Sequence, residues 1–490
     1  MLLLKKCSHE RSFKLTLETT CNQFRQPGAE AASLAKPRWR QRRTRLIVSV
    51  ALVLPLVRAS RAFGEEDEVG YRKSYYKEDD NRIQVSTDTW RFDVGLKDNI
   101  RVEGDVVVDA ISGATPIGAP PQNKWPFQTQ SSLYQSAYQS AYSSQYTQFI
   151  NNNQIYVDSN LETSQQLASD AAAFARQTAP NIATNSASAA YQSLTNNPNY
   201  RRNKVPLTEM HDHRNAFSIQ VPMTFGANQI TPSFAYSAES DYISFSGALN
   251  YSRSFNDKNT TLSTGWAHNG DTVRDDLFVW QAKMTDDVFL GLVQLFGPKA
   301  YLTVNASTSF EHGYLADPYR GVMLDSELQN NPDDPALSPE VRPRHRNSEI
   351  LYASWNQFIT PLSGSYELSY RFFHDSYGII ADTVELDWHQ KIGKFLVISP
   401  MFRYSIQNAA AFYYTLVPDY NGVPTYYSSD YRLSEMETFA TGATITWRVQ
   451  KHLSIDLSYL HYVMQGLDGV TSQSAYPTAN VVSVGARVWF

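Results

Sequence analysis

Few positions in this sequence combine residue types and spacing that could perform chemistry. His211-Asp212-His213 places two imidazoles on one side of an extended chain, but no third metal ligand lies nearby in sequence. His374-Asp375-Ser376 contains the residue types of a catalytic triad, yet adjacent residues on a strand face opposite ways and cannot form a relay. The acidic run 330–334 (NNPDD) lacks the ligand order of a calcium loop. The sequence therefore predicts no catalytic, cofactor or metal site, and we expect the chain not to be an enzyme.

Cysteine usage and charge exclude further classes of protein. Both cysteines, Cys7 and Cys21, precede residue 63, so thiol nucleophiles, cysteine zinc sites and disulfides are excluded from the rest of the chain. The net charge of −5 combines +10 over residues 1–62 with −15 over residues 63–490. Since non-specific nucleic-acid binding depends on basic contacts to phosphates, we expect no nucleic-acid partner.

Residues 1–62 have the pattern of an N-terminal extension followed by a secretory signal peptide. A basic run at 38–45 (RWRQRRTR) precedes the apolar stretch 46–57 (LIVSVALVLPLV) and then small residues. This pattern predicts cleavage after Ala62. A buried helix and a twin-arginine signal at Arg42-Arg43 are the alternatives, and both fit the flanking residues less well.

The remaining chain reads as long strands. Mean hydropathy is −0.41, and no stretch after residue 62 approaches the roughly 18 to 20 apolar residues of a membrane helix. In 99–110 (NIRVEGDVVVDA) apolar and charged residues alternate, and runs such as 82–97, 242–255 and 438–450 exceed the length of ordinary globular strands. A soluble sandwich and an outer-membrane barrel both produce this alternation. Length favours the barrel, as do tryptophans near strand ends, namely Trp90, Trp266, Trp280, Trp355, Trp388, Trp447 and Trp489.

The connections alternate between short and long. Tight links are expected near 98–99, 226–228, 256–259, 297–299, 361–364, 392–394 and 450–452, and most of the connections between them are long and rich in Pro, Asn and Asp. Bacterial barrels have short periplasmic turns and longer external loops. The sequence thus predicts an all-β, antiparallel up-and-down transmembrane barrel of about 16 strands, with 14 as the alternative and with 69–77 as the first strand.

The chain ends in a pattern that resembles the signal read by the barrel-assembly machinery. Its members are Ser483, Gly485, Val488 and the terminal Phe490. Strand addition through main-chain hydrogen bonds, with alternate side chains in pockets, would explain why their spacing matters.

Several blocks resemble a Gram-negative outer-membrane barrel family catalogued only as a domain of unknown function. These blocks are 109–116 (DAISGATP), 237–261, 313–319 (GYLADPY, continuing RGV) and 429–434 (SDYRLS). The resemblance covers residues 69–490 and implies an integral outer-membrane location, with no established catalytic residues. It also implies a periplasmic lipoprotein partner and a role beside an envelope redox system.

A low-complexity insert at 120–206 departs from that family and separates the first barrel strands (63–119) from the remainder (207–490). Tyr134, Tyr138, Tyr142 and Tyr146 recur every four residues, which predicts one helical stripe. The insert is either an external loop with partial helicity, or a lumen plug or partner-binding element.

The favoured function is a porin-like channel for passive diffusion of small solutes, and the alternative is a plugged scaffold barrel that anchors envelope or extracellular partners. The expected partners are the lipid bilayer, lipopolysaccharide and the barrel-assembly machinery. The residues expected to line the lumen are Arg101, Glu103, Asp105, Arg253, Glu367, Arg371, Glu385, Asp387, Arg403, Asp456 and Arg487.

Overall fold

A single antiparallel sheet that closes on itself dominates the computed structural model, which describes residues 67–80, 82–118, 130–158, 163–196, 207–330, 336–419 and 422–490. The expected signal peptide and its cleavage at Ala62 lie outside these residues. The barrel strands are β1 (Glu68–Glu78), β2 (Gln84–Lys97), β3 (Ile100–Pro116), β4 (Leu207–Gln220) with its continuation β5 (Met223–Phe225), β6 (Asn228–Ala238), β7 (Tyr242–Phe255), β8 (Thr260–Arg274), β9 (Trp280–Leu295), β10 (Ala300–Gly313), β13 (His345–Ile359), β14 (Gly364–Asp375), β15 (Ile380–Ile392), β16 (Leu396–Gln407), β17 (Met436–Gln450), β18 (Leu453–Gly466) and β19 (Thr478–Trp489). Since β4 and β5 form one strand interrupted at Val221-Pro222, the predicted barrel of about 16 strands is confirmed.

The first and last strands close the barrel. Every barrel strand pairs with the barrel strands that precede and follow it, and β1 pairs with β19 from Glu68↔Trp489 to Glu78↔Ala479. Closure leaves the sheet without a free edge. Residues 67 and 490 lie at the same end of the barrel as the seven tight turns, and the longer connections lie at the other. Strands β8 and β9 are longer than predicted. The connection between them, expected at 268–286, therefore contains only residues 275–279.

Alternation gives the barrel two chemically different faces. The outward side of β7, for example, carries exposed Ile243, Phe245, Leu249 and Tyr251, whereas the inward side carries serine and asparagine. Six of the seven tryptophans predicted to form a girdle share the outward face with such residues. Trp489 is the exception, because it alternates with exposed Val488 and Phe490 and therefore faces inward.

The insert contains two long helices, α1 (Gln130–Asp158) and α2 (Ser164–Asn196), which pack against each other. The rings of Tyr134, Tyr138, Tyr142 and Tyr146 lie 6.1 to 6.3 Å apart in succession, which confirms the predicted tyrosine stripe on α1. On α2 a stripe of one leucine and five alanines with the same spacing is buried, at Leu167, Ala171, Ala175, Ala179, Ala183 and Ala187. In the described part of the chain, neither these nor any other helix is long and apolar enough to cross a membrane.

Two further short strands and a short helix lie in the connection after β10. They are β11 (Gly321–Met323), α3 (Asp325–Asn330) and β12 (Leu337–Pro339), and β11 pairs with β12.

Gly485 makes room for an ion pair beside the closing seam. A Cβ atom at Gly485 would lie 2.6 Å from Oδ1 of Asp456, whose Oδ2 accepts a hydrogen bond of 3.1 Å from Arg72. We expect Gly485→Ala to displace the Asp456 carboxylate and to lower the free energy of unfolding by about 1 kcal/mol. Urea unfolding of the refolded barrel, followed by tryptophan fluorescence, measures this change.

Gly247→Ala is the matched control, since a Cβ at Gly247 meets nothing within 4 Å. In an Asp456→Ala background, Gly485→Ala should lower the free energy of unfolding by much less. If Gly485→Ala lowers the free energy of unfolding by the same amount in that background, Gly485 has another role.

Candidate functional site: a lid across the barrel mouth

Two long connections fold over the end of the barrel opposite the tight turns. We call the described residues of 314–344, between β10 and β13, and of 408–435, between β16 and β17, the lid. Isolated bridges join its two parts at Leu324↔Val417 and Val341↔Tyr427. The main-chain amide of Val341 and that of Tyr427 each donate to the carbonyl of the other, at 2.9 and 2.8 Å.

The lid crosses the lumen. Around the closed sheet β3 is the third strand, β10 the ninth and β17 the fourteenth, so these strands lie far apart on the barrel wall. Contacts among the segments that adjoin their ends must therefore pass across the mouth. The amide of Gly321, beyond β10, donates to the carbonyl of Ile117, just after β3, at 2.8 Å. Arg320 Nη1 donates to the carbonyl of Pro116. Ser429 Oγ, shortly before β17, donates to the carbonyl of Gly321 at 2.9 Å.

Asp430 is the centre of a buried network of charges. Its Oδ2 accepts hydrogen bonds from Arg342 at 2.8 Å and from Arg432 at 2.5 Å, and Arg320 Nε lies 3.8 Å from Oδ1. The Asp430 side chain is 1 % exposed. An isolated charge at this depth would be strongly destabilising, so the three arginines are what make a buried carboxylate tolerable.

Two more carboxylates complete the network. Asp317 lies 2.5 Å from Arg432 Nη2, and Glu340 lies 2.7 Å from Arg342 Nε. Glu340 Oε1 also accepts the main-chain amide of Asp317 at 2.5 Å. Three arginines thus face three carboxylates, and the network is close to neutral.

Burial and the arginines act on the pKa of Asp430 in opposite directions. Burial raises it, but the nearby charges of Arg432, Arg320 and Arg342 outweigh burial and hold the pKa far below its ordinary value. A lowered aspartate pKa means that the stabilisation is fully present above the ordinary aspartate pKa and is lost only as the pH falls through the lowered value. Asp430 therefore keeps its charge and its ion pairs with the arginines throughout the neutral range.

An apolar cluster forms the underside of the lid. Phe412, Ala410 and Leu433 of the lid pack with residues of the barrel wall and of the β14–β15 turn, which are Ile350, Phe373, Tyr377, Ile379 and Ala381. The Tyr377 ring meets the Phe412 ring edge-on, with centroids 4.9 Å apart. The cluster anchors the lid to β13, β14 and β15 through hydrophobic burial.

Charged pairs on the inner wall support the rim below the lid. Lys283 Nζ lies 3.2 Å from Glu311, and Arg346 Nη2 lies 2.6 Å from Asp375. Asp375 also accepts the amides of Tyr377 and Ile379, so its role is to hold the β14–β15 turn. Its sequence neighbour His374 projects outward, 3.4 Å from Glu349, which agrees with the expectation that 374–376 form no relay.

The segment His211-Asp212-His213 contributes its carboxylate to a second cluster. Oxygen atoms of Asp212, Glu239 and Asp241 lie within 4.8 Å of one another at the β6–β7 turn. Burial, followed by the charges of Asp212 and Glu239, raises the pKa of Asp241 to about 7. The histidines alternate with Asp212 and face outward, away from these carboxylates. Sequence reasoning did not group these acids, because only pairing of β4 with β6 brings Asp212 to the turn.

Most residues expected to line the lumen do face inward, on strands β3, β14, β15, β16, β18 and β19. They are Arg101, Glu103, Asp105, Glu367, Arg371, Glu385, Asp387, Arg403, Asp456 and Arg487. Arg253 is a correction: it shares the outward face of β7 with Tyr251 and Phe255, and its guanidinium lies 5.2 Å from the Phe255 ring centre. It lies two residues from the strand end, where a long side chain can reach water beyond the apolar band.

The residues of the C-terminal pattern divide between the two faces of β19. Ser483 and Gly485 face inward, and Ser483 Oγ lies 2.8 Å from Ser74 Oγ of β1. Val488 and Phe490 face outward and are about half exposed. Their reading by the assembly machinery stays a prediction.

The lid was not predicted, although its residues were noticed as sequence blocks. A signal was present: the order Asp317, Tyr319, Arg320 is close to that of Asp430, Tyr431, Arg432, and both segments lie in long connections. Repeated acid–Tyr–Arg groups in two loops of one barrel indicate a shared buried network.

We expect Asp430→Asn to loosen the lid and leave the barrel folded. The change leaves Arg320, Arg342 and Arg432 short of one carboxylate, which costs about 3 to 5 kcal/mol for a broken buried pair. Hydrogen exchange should become faster in 314–344 and 408–435 and stay unchanged in the strands. Asp382→Asn, which alters an outward carboxylate bonded to Tyr370, is the control. Equal exchange in both variants would contradict a lid held by charge.

Asp241→Asn should stabilise the protein more at pH 8 than at pH 5. A pKa raised in the folded state means that stability falls as the pH rises from the ordinary aspartate value through about 7, and asparagine removes this loss. Urea unfolding at the two pH values measures the difference, with exposed Asp276→Asn as control. A gain independent of pH would rule out the ionisation of Asp241 as its cause.

Comparison with solved structures gives only weak overall similarities. A BenF-like porin from Pseudomonas fluorescens Pf-5 is 7 % identical, with 87 % of this chain and 98 % of that chain covered and a TM-score of 0.37. A bacterial polysaccharide outer membrane secretin is 8 % identical, with 87 % of this chain and 98 % of that chain covered and a TM-score of 0.39. The siderophore receptor PirA from Pseudomonas aeruginosa is 8 % identical, with 87 % of this chain and 62 % of that chain covered and a TM-score of 0.37. This chain therefore spans less than two thirds of that receptor.

Family membership is clearer than these structural similarities. No curated protein matches the sequence. The model of a family described as a protein of unknown function, DUF3570, matches residues 46–277 and 277–481. Because the match extends over most of the sequence and includes all three blocks that meet at the lid, the chain belongs to the DUF3570 family.

Proposed function

We propose that the protein is an integral outer-membrane barrel and a porin-like channel for small solutes, with an external mouth that the lid narrows. The outward face supports a membrane position, because exposed apolar side chains alternate with inward polar ones around the barrel. The tight turns, the start of β1 and the end of β19 share one end of the barrel, which is the arrangement of barrels whose short turns lie in the periplasm.

The observation that carries the proposal is the exposure of charged side chains on the inner wall below the lid. Side chains of the pair Arg403 and Glu385 are 42 % and 32 % exposed, and those of Arg91 and Asp105 are 42 % and 33 % exposed. Arg320, Glu340 and Asp430 of the lid are buried, by contrast. An exposed charged wall inside a closed barrel is suited to a water-filled lumen.

The lid also alters the role proposed for the insert. In the described part of the chain, residues of 314–344, 408–435 and 116–117 meet across the mouth, while α1 and α2 pack chiefly on each other. We therefore propose that the lid, and not the insert, narrows the mouth of the barrel. The insert remains available for external contacts.

A plugged scaffold is the second candidate function. Near-complete burial of Arg320, Glu340 and Asp430 favours it, since a channel constriction would present its charges to passing solutes. In either case we propose that the bilayer, lipopolysaccharide and the barrel-assembly machinery are partners. A periplasmic lipoprotein would then contact the end with the tight turns.

Planar-bilayer conductance of residues 63–490 tests the channel. We expect small stable steps from this chain, larger steps from Asp430→Asn, and little change when 120–206 is deleted. Because Pro116 and Leu207 are paired, residues 117–119 and the deletion junction can link β3 to β4. Outward Asp382→Asn is again the control.

Silence from all four proteins would overturn the channel proposal and favour the scaffold. A large rise on deletion of 120–206, with no effect of Asp430→Asn, would make the insert the plug.

A further inference from the structure

Arg371 is a charged residue of the inner wall that has no carboxylate partner in the described part of the chain. It lies midway along β14, and within the described residues its guanidinium makes no salt bridge or hydrogen bond. Its contact is with the ring of Phe373, whose centre lies 5.5 Å away. Carboxylates within 4.0 Å accompany other inner-wall cations, namely Arg72, Arg91, Arg101, Arg214, Lys283, Arg346, Arg403 and Arg487.

A row of hydroxyl groups lies level with Arg371. The strand register places Tyr352 of β13 on one side of it and Thr383 of β15 on the other. Ser405 of β16 follows Thr383, with the two hydroxyl oxygens 2.8 Å apart, and Thr438 of β17 comes next. These groups can donate or accept hydrogen bonds and carry no charge.

An apolar ceiling lies directly above this row. One step along each strand towards the lid, Ile350, Phe373 and Ala381 form part of the apolar underside. Residues two apart on a strand are separated by about 7 Å, which is the length of a short aliphatic or aromatic group.

A second arginine lies one step towards the tight turns. Arg403 is the charged group that acts most directly on Arg371, and it is itself 4.0 Å from Glu385, so its charge is partly balanced. Glu367, on the strand of Arg371, accepts a hydrogen bond from the Tyr352 hydroxyl at 3.2 Å. Neither of these carboxylates forms a salt bridge with Arg371, and a further carboxylate is the group best able to satisfy its guanidinium through two parallel hydrogen bonds.

We propose that Arg371, with Arg403 and the adjoining hydroxyl row, forms a binding site for a small organic anion that has a carboxylate and an apolar tail. The carboxylate binds the guanidinium of Arg371, and the tail lies against the apolar underside of the lid. This inference rests on the proposed function only in requiring that the lumen be accessible from the end with the tight turns. It does not require that solutes pass the lid.

Binding of phenylacetate to the refolded chain in detergent micelles tests the site, measured by isothermal titration calorimetry with micelles alone subtracted. The neutral probe 2-phenylethanol and the cationic probe phenethylammonium have the same tail. We expect phenylacetate to bind at least tenfold more tightly than either. Arg371→Gln should weaken phenylacetate binding roughly tenfold or more, and Arg371→Lys should weaken it less, since the charge stays but the paired donors are lost.

Arg91→Gln is the matched control, because Arg91 is an inward arginine that lies 3.6 Å from Asp105. It should leave phenylacetate binding within about twofold of the unaltered chain. Equal losses from Arg91→Gln and Arg371→Gln would overturn the site and indicate a general effect of lumen charge, as would equal affinity for 2-phenylethanol.

The two proposals fail separately. A silent barrel in the bilayer that still binds phenylacetate through Arg371 would retain the site and overturn the channel. Stable conductance without phenylacetate binding that depends on Arg371 would retain the channel and overturn the site. Resistance of each variant to urea, compared with that of the unaltered chain, shows that a loss of binding does not arise from misfolding.

Discussion

The pairing of β1 with β19 is the constraint on which the rest of the molecule depends. Because it closes the sheet, every strand has two partners, and the alternation of side chains acquires a strict inside and outside. A shift by one residue in any strand would exchange these faces. Arg72 and Asp456 pair across β19 beside this seam, and Gly485 between them leaves the space that their contact requires.

Closure also makes the lid possible. A ring of strands holds the ends of β3, β10 and β17 at separate points around one mouth, and the connections from these points are long enough to meet above the lumen. Once they meet, hydrophobic burial anchors one side, at Phe373 and Phe412, and the charges around Asp430 fix the register of the three segments. A buried carboxylate adds little net stability, but it accepts few alternative arrangements of its partners.

The sequence is informative about the barrel because a period of two is local. The inward side of β3, β14 and β15 follows from alternation, and the strand number and the order of short and long connections follow from where alternation gives way to turn residues. Arg253 was misplaced because charge was taken as a sign of the lumen, although an arginine near a strand end can also lie outside. Trp489 shows the converse error, since an aromatic residue at a strand end can face inward.

The lid could not be derived in the same way, because its contacts join residues that are far apart in the chain. Arg320 contacts residues separated from it by about 200 positions, and Asp317 meets Arg432 across 115. This separation has a consequence for the order of assembly. Contacts over such distances form only after the strands that carry them are in place, because the entropy of closing the intervening chain must be offset first. The lid must therefore form after the barrel wall, and a nascent barrel would pass through a stage in which its mouth is still uncovered.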